Sequence, residues 1–271
     1  MNTWIKLSAA AGLSFVLAAC GNDKPADSTT QDTKVLRIAT EGAYAPFNYT
    51  NADGSLGGFD VDVANALCAK MNVPCEVMAQ DWDGIIPALK VGKYDAIVSA
   101  MSITRERSEQ VDFSTPYFVN TLTFLAKADK DFDPTKTADI ESNTIAAQRA
   151  TISSQWLQAS YPKAQVKLYD TLDNAFLDLG AGRADVMIGD KLPAITWLQT
   201  QTGKGFVTKG DEIDIDDQMA IAVDKGNDTL LAKINTALAE LKADGSYEAL
   251  VVKHFGAAMT SAIPQSSQVA Q

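Results

Sequence analysis

Residues 89–107 read Leu89-Lys90-Val91-Gly92-Lys93-Tyr94-Asp95-Ala96-Ile97-Val98-Ser99-Ala100-Met101-Ser102-Ile103-Thr104-Arg105-Glu106-Arg107. A helical pattern ends at Gly92, the residue type that tolerates the left-handed turn closing a helix. Ala96 to Val98 then reads as a short buried strand, which runs directly into two serines, a threonine and two arginines. In α/β proteins the exits of strands are where ligands sit. Hydroxyls beside a guanidinium suit a planar carboxylate, because the arginine fork reaches both oxygens. A solvated loop with surface ion pairs would carry the same residue types, so this stretch leaves both open.

The pattern recurs. Leu179-Gly180-Ala181-Gly182-Arg183-Ala184-Asp185-Val186-Met187-Ile188 repeats helix end, glycine, basic residue, aspartate and buried strand, and its strand exits into Gly189-Asp190. Around the first copy, Val35 to Ala39 and Glu76 to Met78 read as strands. Phe59 to Met71 and Trp82 to Val91 read as helices, with Pro87 early in the second, where proline is tolerated. Strand, helix, strand, helix, strand implies parallel βαβ units. The echo implies two similar α/β lobes. The boundary is expected near Asn120 to Phe124, with a return near Ile215 to Gln218 before a strand at Ala220 to Val223. Leu230 to Leu241 and Tyr247 to Phe255 follow as amphipathic helices. Residues 259–271 are expected to form a disordered tail.

The chain has 271 residues and a net charge of -11, which argues against nucleic acid as a partner. The single histidine, His254, is expected on the surface of the last helix, so a histidine-based triad or zinc site has little to draw on. No metal and no cofactor are expected. At the N-terminus, Lys6 precedes an apolar run from Leu7 to Ala19, too short for a comfortable membrane span. The run ends Leu17-Ala18-Ala19-Cys20-Gly21. This resembles a bacterial lipoprotein signal: residues 1–19 as the removed peptide, Cys20 as the lipidated first residue, and residues 20–33 as a polar tether. Glycine at position 21 resembles a signal for outer-membrane sorting. In an exported protein, Cys68 and Cys75 are expected to form a disulfide bridging a helix end and a strand start.

Five further motifs occur in order: Glu41-Gly42-Ala43-Tyr44-Ala45-Pro46-Phe47, Gly58-Phe59-Asp60-Val61-Asp62, Asp81-Trp82-Asp83-Gly84-Ile85-Ile86-Pro87, Ser102-Ile103-Thr104-Arg105-Glu106-Arg107, and Asp112-Phe113-Ser114-Thr115-Pro116-Tyr117. Together they resemble the extracytoplasmic solute-binding proteins of polar amino acid ABC transporters, above all the lysine/arginine/ornithine- and arginine-binding members, over roughly residues 35–256. The Cys68 and Cys75 spacing matches basic amino acid binders too. The resemblance implies a two-lobed periplasmic binding protein fold of type II, with two hinge strands and a ligand cleft between lobes. It implies one lobe from residues 34–120 and 218–258, and a second from 121–217.

It also implies roles. Arg107 would fork onto the ligand α-carboxylate and Asp190 would take the α-ammonium. Thr151 and Ser102 would hold the α-groups from the second and first lobes. Tyr44 and Trp82 would sandwich the ligand side chain, while Glu41 and Ser99 would meet its distal charge. A zwitterion leaving water needs both charges paired, and charge-assisted bonds are the strong ones. There are departures from the family pattern. Ala100 stands where a small hydroxyl or glycine is common. Gln148-Arg149-Ala150-Thr151-Ile152 replaces a glycine-rich turn. Ile215-Asp216-Asp217-Gln218-Met219 lacks the glycines and aromatic of a typical second hinge.

The expected function is capture of a cationic L-amino acid (arginine first, then lysine or ornithine, then histidine) by a lipid-anchored monomer. The protein would stand outside the cytoplasmic membrane and deliver its ligand to a permease. Two other functions fit the scaffold: a dehydratase of the cyclohexadienyl or arogenate type, and a sensory or host-binding surface lipoprotein.

Overall fold

A computed structural model describes residues 35–264. The expected signal segment, Cys20 and the tether lie outside the described residues, as do residues 265–271. Two five-stranded sheets organise the chain. In the first, the strands run in the order Cys75–Ala79, Leu36–Thr40, Ala96–Ile97, Ala222–Asp224, Val111–Phe113. The first three are parallel, and Ala222–Asp224 is antiparallel to both of its neighbours. The second sheet runs Gln165–Tyr169, Thr144–Gln148, Val186–Asp190, Phe118–Lys127, Phe206–Met219, again three parallel strands and then two antiparallel ones.

The sequence echo corresponds to one local device used twice. Gly92 and Gly182 both adopt left-handed backbone (φ 75° and 70°) and close the helices Ile85–Lys90 and Leu172–Gly180. The aspartate that follows fastens the next strand to its neighbour. The Asp95 carboxylate accepts the backbone N–H of Arg37 at 3.0 Å, and that of Asp185 accepts the backbone N–H of Thr144 at 2.9 Å. Each aspartate thus ties the strand it precedes to the central strand of a parallel trio, Ala96–Ile97 to Leu36–Thr40 and Val186–Asp190 to Thr144–Gln148.

The helix Phe59–Met71 has the bounds its pattern predicts. Phe59, Val63 and Leu67 recur every four residues, so they share one buried face. Each side chain of this kind contributes about 1.5–3 kcal/mol when fully buried. The helix begins after Gly58 at φ 112°, where an added Cβ would run into the carbonyl of Phe47. It ends at Asn72 in the left-handed region, and Cys68 and Cys75 close a disulfide across this turn. The Trp82 to Val91 pattern divides into a 3-10 turn, Trp82–Gly84, and the helix Ile85–Lys90.

Two expectations need correction. His254 is not a surface residue. Its ring is half-buried, 2.6 Å from an Asp62 oxygen and edge-on to Phe59, because the helix Ser246–Phe255 packs against Phe59–Met71. The disordered tail does not begin at 259. Ala257–Ala262 form a 3-10 helix, and Met259, Ala262 and Ile263 pack against the main apolar cluster, which removes them from water.

Phe118–Lys127 and Phe206–Met219 are the long strands. They pair with each other over much of their length. At Phe118, Val119 and Asn120 and at Asp217, Gln218 and Met219 they reach the first sheet's loops: Ile103 N–H donates to the Gln218 carbonyl, Ala220 N–H to the Met101 carbonyl and Tyr117 N–H to the Met219 carbonyl. The exits of both parallel strand sets point into the space beside this crossing.

Candidate functional site

Glu41, Tyr44, Trp82, Ser99, Ser102, Arg107, Thr151 and Asp190 line one pocket, together with Ala100, Gln148 and Ile152. The eight candidate ligand-binding residues named from the sequence are therefore brought to one place. The first sheet supplies Glu41 directly after Leu36–Thr40 and Ser99 to Arg107 after Ala96–Ile97. The second sheet supplies Gln148 to Ile152 after Thr144–Gln148 and Asp190 at the end of Val186–Asp190.

Burial separates the two candidate arginines. Arg107 is 6% exposed, whereas the Arg105 side chain is 95% exposed. Thr104 caps the short helix Arg105–Ser108 by accepting the Arg107 backbone N–H, which turns the Arg107 side chain inward. Its guanidinium donates to the carbonyl of Ser102 at 2.7 Å and to that of Ala150 at 2.9 Å. Both acceptors are neutral carbonyls. Burial lowers the Arg107 pKa, and the Asp217 and Asp190 charges pull it back, so the group stays ionised.

Opposite stands Asp190. It occupies the position before the helix Lys191–Leu198 but makes no side-chain cap bond, so helix capping does not explain it. One of its oxygens accepts the Tyr44 hydroxyl at 2.6 Å; the other, Oδ1, is buried and has no hydrogen-bond partner among the described residues. A buried acceptor of this kind costs free energy until a donor meets it. Burial pushes the Asp190 carboxyl up and the charge of Asp217 adds to this, against the pull of the Tyr44 hydroxyl, the nearby Asn120 amide and the Arg107 charge.

Glu41 is buried as well. Its Oε1 accepts the Gln148 side-chain amide at 2.7 Å, and its backbone N–H donates to Ser99 Oγ at 2.9 Å. Burial pushes its carboxyl up to about 7 against the pull of Gln148, with Asp173, Asp81 and Asp83 adding repulsion.

Three expected contacts take a different form. Ser102 donates its hydroxyl proton to Asp217 at 3.1 Å, which leaves its lone pairs to accept rather than donate. The Thr151 hydroxyl donates to the Gln148 carbonyl and caps the helix Ile152–Ser160, so what it can offer a carboxylate is backbone at a helix start. The Trp82 ring stands 5.1 Å from the Arg107 guanidinium, and its N–H donates to the Ala150 carbonyl at 3.2 Å. At least one role of Trp82 is thus to seat Arg107 by cation–π attraction.

Gln148 and Asp217 were not among the site residues expected from sequence. Gln148 was visible as a polar residue in the turn before Thr151, but its partner lies 107 residues away. Ala100 and Ala150 hold left-handed backbone at φ 44° and 56°. Arg149 pairs with Asp83 at 3.3 Å and with Asp170, spanning from one sheet's loops to the other's. Among the described residues, no cluster of three or more His, Cys, Asp or Glu could hold a metal ion, and no helix is long and apolar enough to cross a membrane.

Two mixed α/β sheets crossed by a pair of antiparallel strands, with opposite charges facing one another between them, define a two-lobed solute-binding fold of type II. The family model for bacterial extracellular solute-binding proteins, family 3, matches residues 36–257, and the chain belongs to that family. It is 38% identical over 217 residues to ABC transporter arginine-binding protein 1 of Escherichia coli strain K12, covering 79% of this chain and 87% of that one. It is 37% identical over 229 residues to the L-arginine-binding protein of Pseudomonas aeruginosa, covering 82% and 88%. Among solved structures, an ancestral arginine-binding protein bound to arginine matches with a TM-score of 0.77 and 37% identity, over 82% of this chain and 98% of that one.

Proposed function

We propose that this protein captures a cationic L-amino acid, arginine before lysine, ornithine or histidine, and passes it to the permease of an ABC transporter. Arg107 binds the α-carboxylate, Asp190 and the lone pairs of Ser102 take the α-ammonium, and Glu41 with Gln148 meets the distal charge. The single observation that carries this reading is the opposition of two buried charges, Arg107, whose hydrogen bonds among the described residues go to carbonyls alone, and Asp190, whose Oδ1 has no hydrogen-bond partner among them. That pair complements a zwitterion, and Glu41 adds a charge that a neutral side chain would leave unanswered.

The lobes comprise residues 34–120 with 218–258, and 121–217. Four contacts run from the loop Gln148 to Ala150 to the first lobe, by way of Glu41, Asp83, Trp82 and Arg107. Ligand contacts made in both lobes favour the closed arrangement, because only differential affinity shifts such an equilibrium. Cys20 anchors the monomer to the membrane outside the cytoplasm. Titration calorimetry with arginine, lysine, ornithine, histidine and citrulline tests the reading; heat from none of the four cationic ligands overturns it.

One observation favours an enzyme instead. A buried carboxyl raised to about 7, as at Glu41, is matched to general acid work near neutral pH. Turnover of prephenate or arogenate would establish that second reading, and its absence alongside arginine binding would remove it.

A further inference from the structure

We propose that Asp217 is a specificity-determining residue, a third carboxylate that biases the cleft toward ligands of net positive charge without touching them. The inference deepens the amino acid reading above and rests on it.

Asp217 lies on the strand Phe206–Met219, directly opposite Asn120 on Phe118–Lys127. It is 5% exposed. Its Oδ2 accepts the Asn120 side-chain amide at 2.8 Å and the Ser102 hydroxyl at 3.1 Å. Ser102 lines the pocket and Asp217 does not, so the carboxylate stands one hydrogen bond behind the wall. Burial raises its pKa, whereas both donors and the Arg107 charge favour the ionised form.

The charge balance gives this position a consequence. Arg107 contributes one positive charge; Glu41, Asp190 and Asp217, when ionised, contribute three negative ones. A zwitterion with a neutral side chain adds no net charge and leaves the excess of two. A cationic amino acid brings it to one. In a poorly screened interior this difference acts on the whole ligand, over more than contact distance. Without Asp217, the site would hold one positive and two negative charges; a neutral zwitterion leaves that excess of one and a cation cancels it, so Asp217 adds one further unit of attraction that only a net positive ligand feels in full. The bland alternative is that Asp217 only pins the two long strands to the Ser102 loop.

Asp217→Asn separates the two, because the asparagine carbonyl can accept from both Asn120 and Ser102 while the charge is lost. Affinities for arginine and for citrulline, which has the same shape without the charge, are measured by competition at one pH. The expected result is a fall in the arginine-to-citrulline affinity ratio of about ten-fold, the order of one unit charge acting over roughly 12 Å at an effective dielectric of about 20. Parallel loss of both affinities, or an unchanged ratio, overturns the inference and leaves the amino acid reading standing. Wild-type protein that binds neither ligand overturns the amino acid reading itself. Should Asp217→Asn not fold, Asp217→Ser repeats the ratio test; if neither folds, Asp217 is structural and the inference fails.

Discussion

Replacing Glu41 with glutamine should stabilise the free protein and weaken arginine binding at the same time. The carboxyl is buried, and burial raises its pKa from 4.5 to about 7. An acid whose pKa rises on folding is neutral in both states below 4.5, so it costs nothing there. The cost builds as pH climbs from 4.5 and is complete above about 7, where the folded state must hold a buried charge. The difference corresponds to about 3 kcal/mol at full ionisation. For a protein of this size, that translates into a rise in thermal midpoint on the order of 6–12 °C for Glu41→Gln at pH 8. At pH 4 the two proteins should melt together. Binding should move the other way. Loss of a charge-assisted hydrogen bond, about 1.5–3 kcal/mol, weakens arginine roughly 10–150-fold. In the wild type, only about one molecule in ten carries the Glu41 charge at pH 6, so arginine affinity should rise about ten-fold from pH 6 to pH 8. The variant should lose the Glu41 share of this dependence and keep the share of Asp190, whose carboxyl burial also pushes up. Scanning calorimetry and titration calorimetry across pH 4–8 read both quantities. A variant that melts lower at pH 8 and binds arginine as tightly as wild type would refute the reasoning, for it would place the Glu41 charge in solvent and away from the ligand.

Arg107→Lys keeps the charge but loses the fork and the stacking on Trp82; arginine affinity should drop by about 100-fold in calorimetric titration, with the melting temperature little changed. Gly58→Ala should destabilise by at least about 3 kcal/mol in urea unfolding, because φ 112° is strained for alanine and the new methyl meets the Phe47 carbonyl. Replacing Cys68 and Cys75 with alanine should cost about 2.5 kcal/mol in the same assay, the chain-entropy value for so short a loop; an unchanged unfolding midpoint would show that the bridge contributes nothing.

Local chemistry made much of the fold legible. Gly92 and Gly182, each followed by a basic residue and an aspartate, marked two helix ends and two strands, because a left-handed glycine closes a helix wherever it occurs. The helical spacing of Val63, Ala66, Leu67 and Met71 marked a helix for an equally local reason. His254 was misjudged because its burial comes from Phe59 and Asp62, 192 residues away in the second case, and nothing near position 254 encodes them. The stretch from Met259 to Ile263 was misjudged for a similar reason: Met259 and Ile263 are held by a core assembled from remote parts of the chain.

Residue types and short spacings identify the groups available: a guanidinium, hydroxyls and carboxylates at strand exits, and aromatic rings in the Glu41 and Trp82 motifs. The tertiary structure decided how they pair. Tyr44 meets Asp190 across 146 residues, Gln148 meets Glu41 across 107, and Ser102 meets Asp217 across 115. Such partners come together only when two sheets are brought face to face, and the same closure removes water and raises Glu41 to about 7. Hydrogen bonding and desolvation act through space, so the site's electrostatics could not be read along the chain.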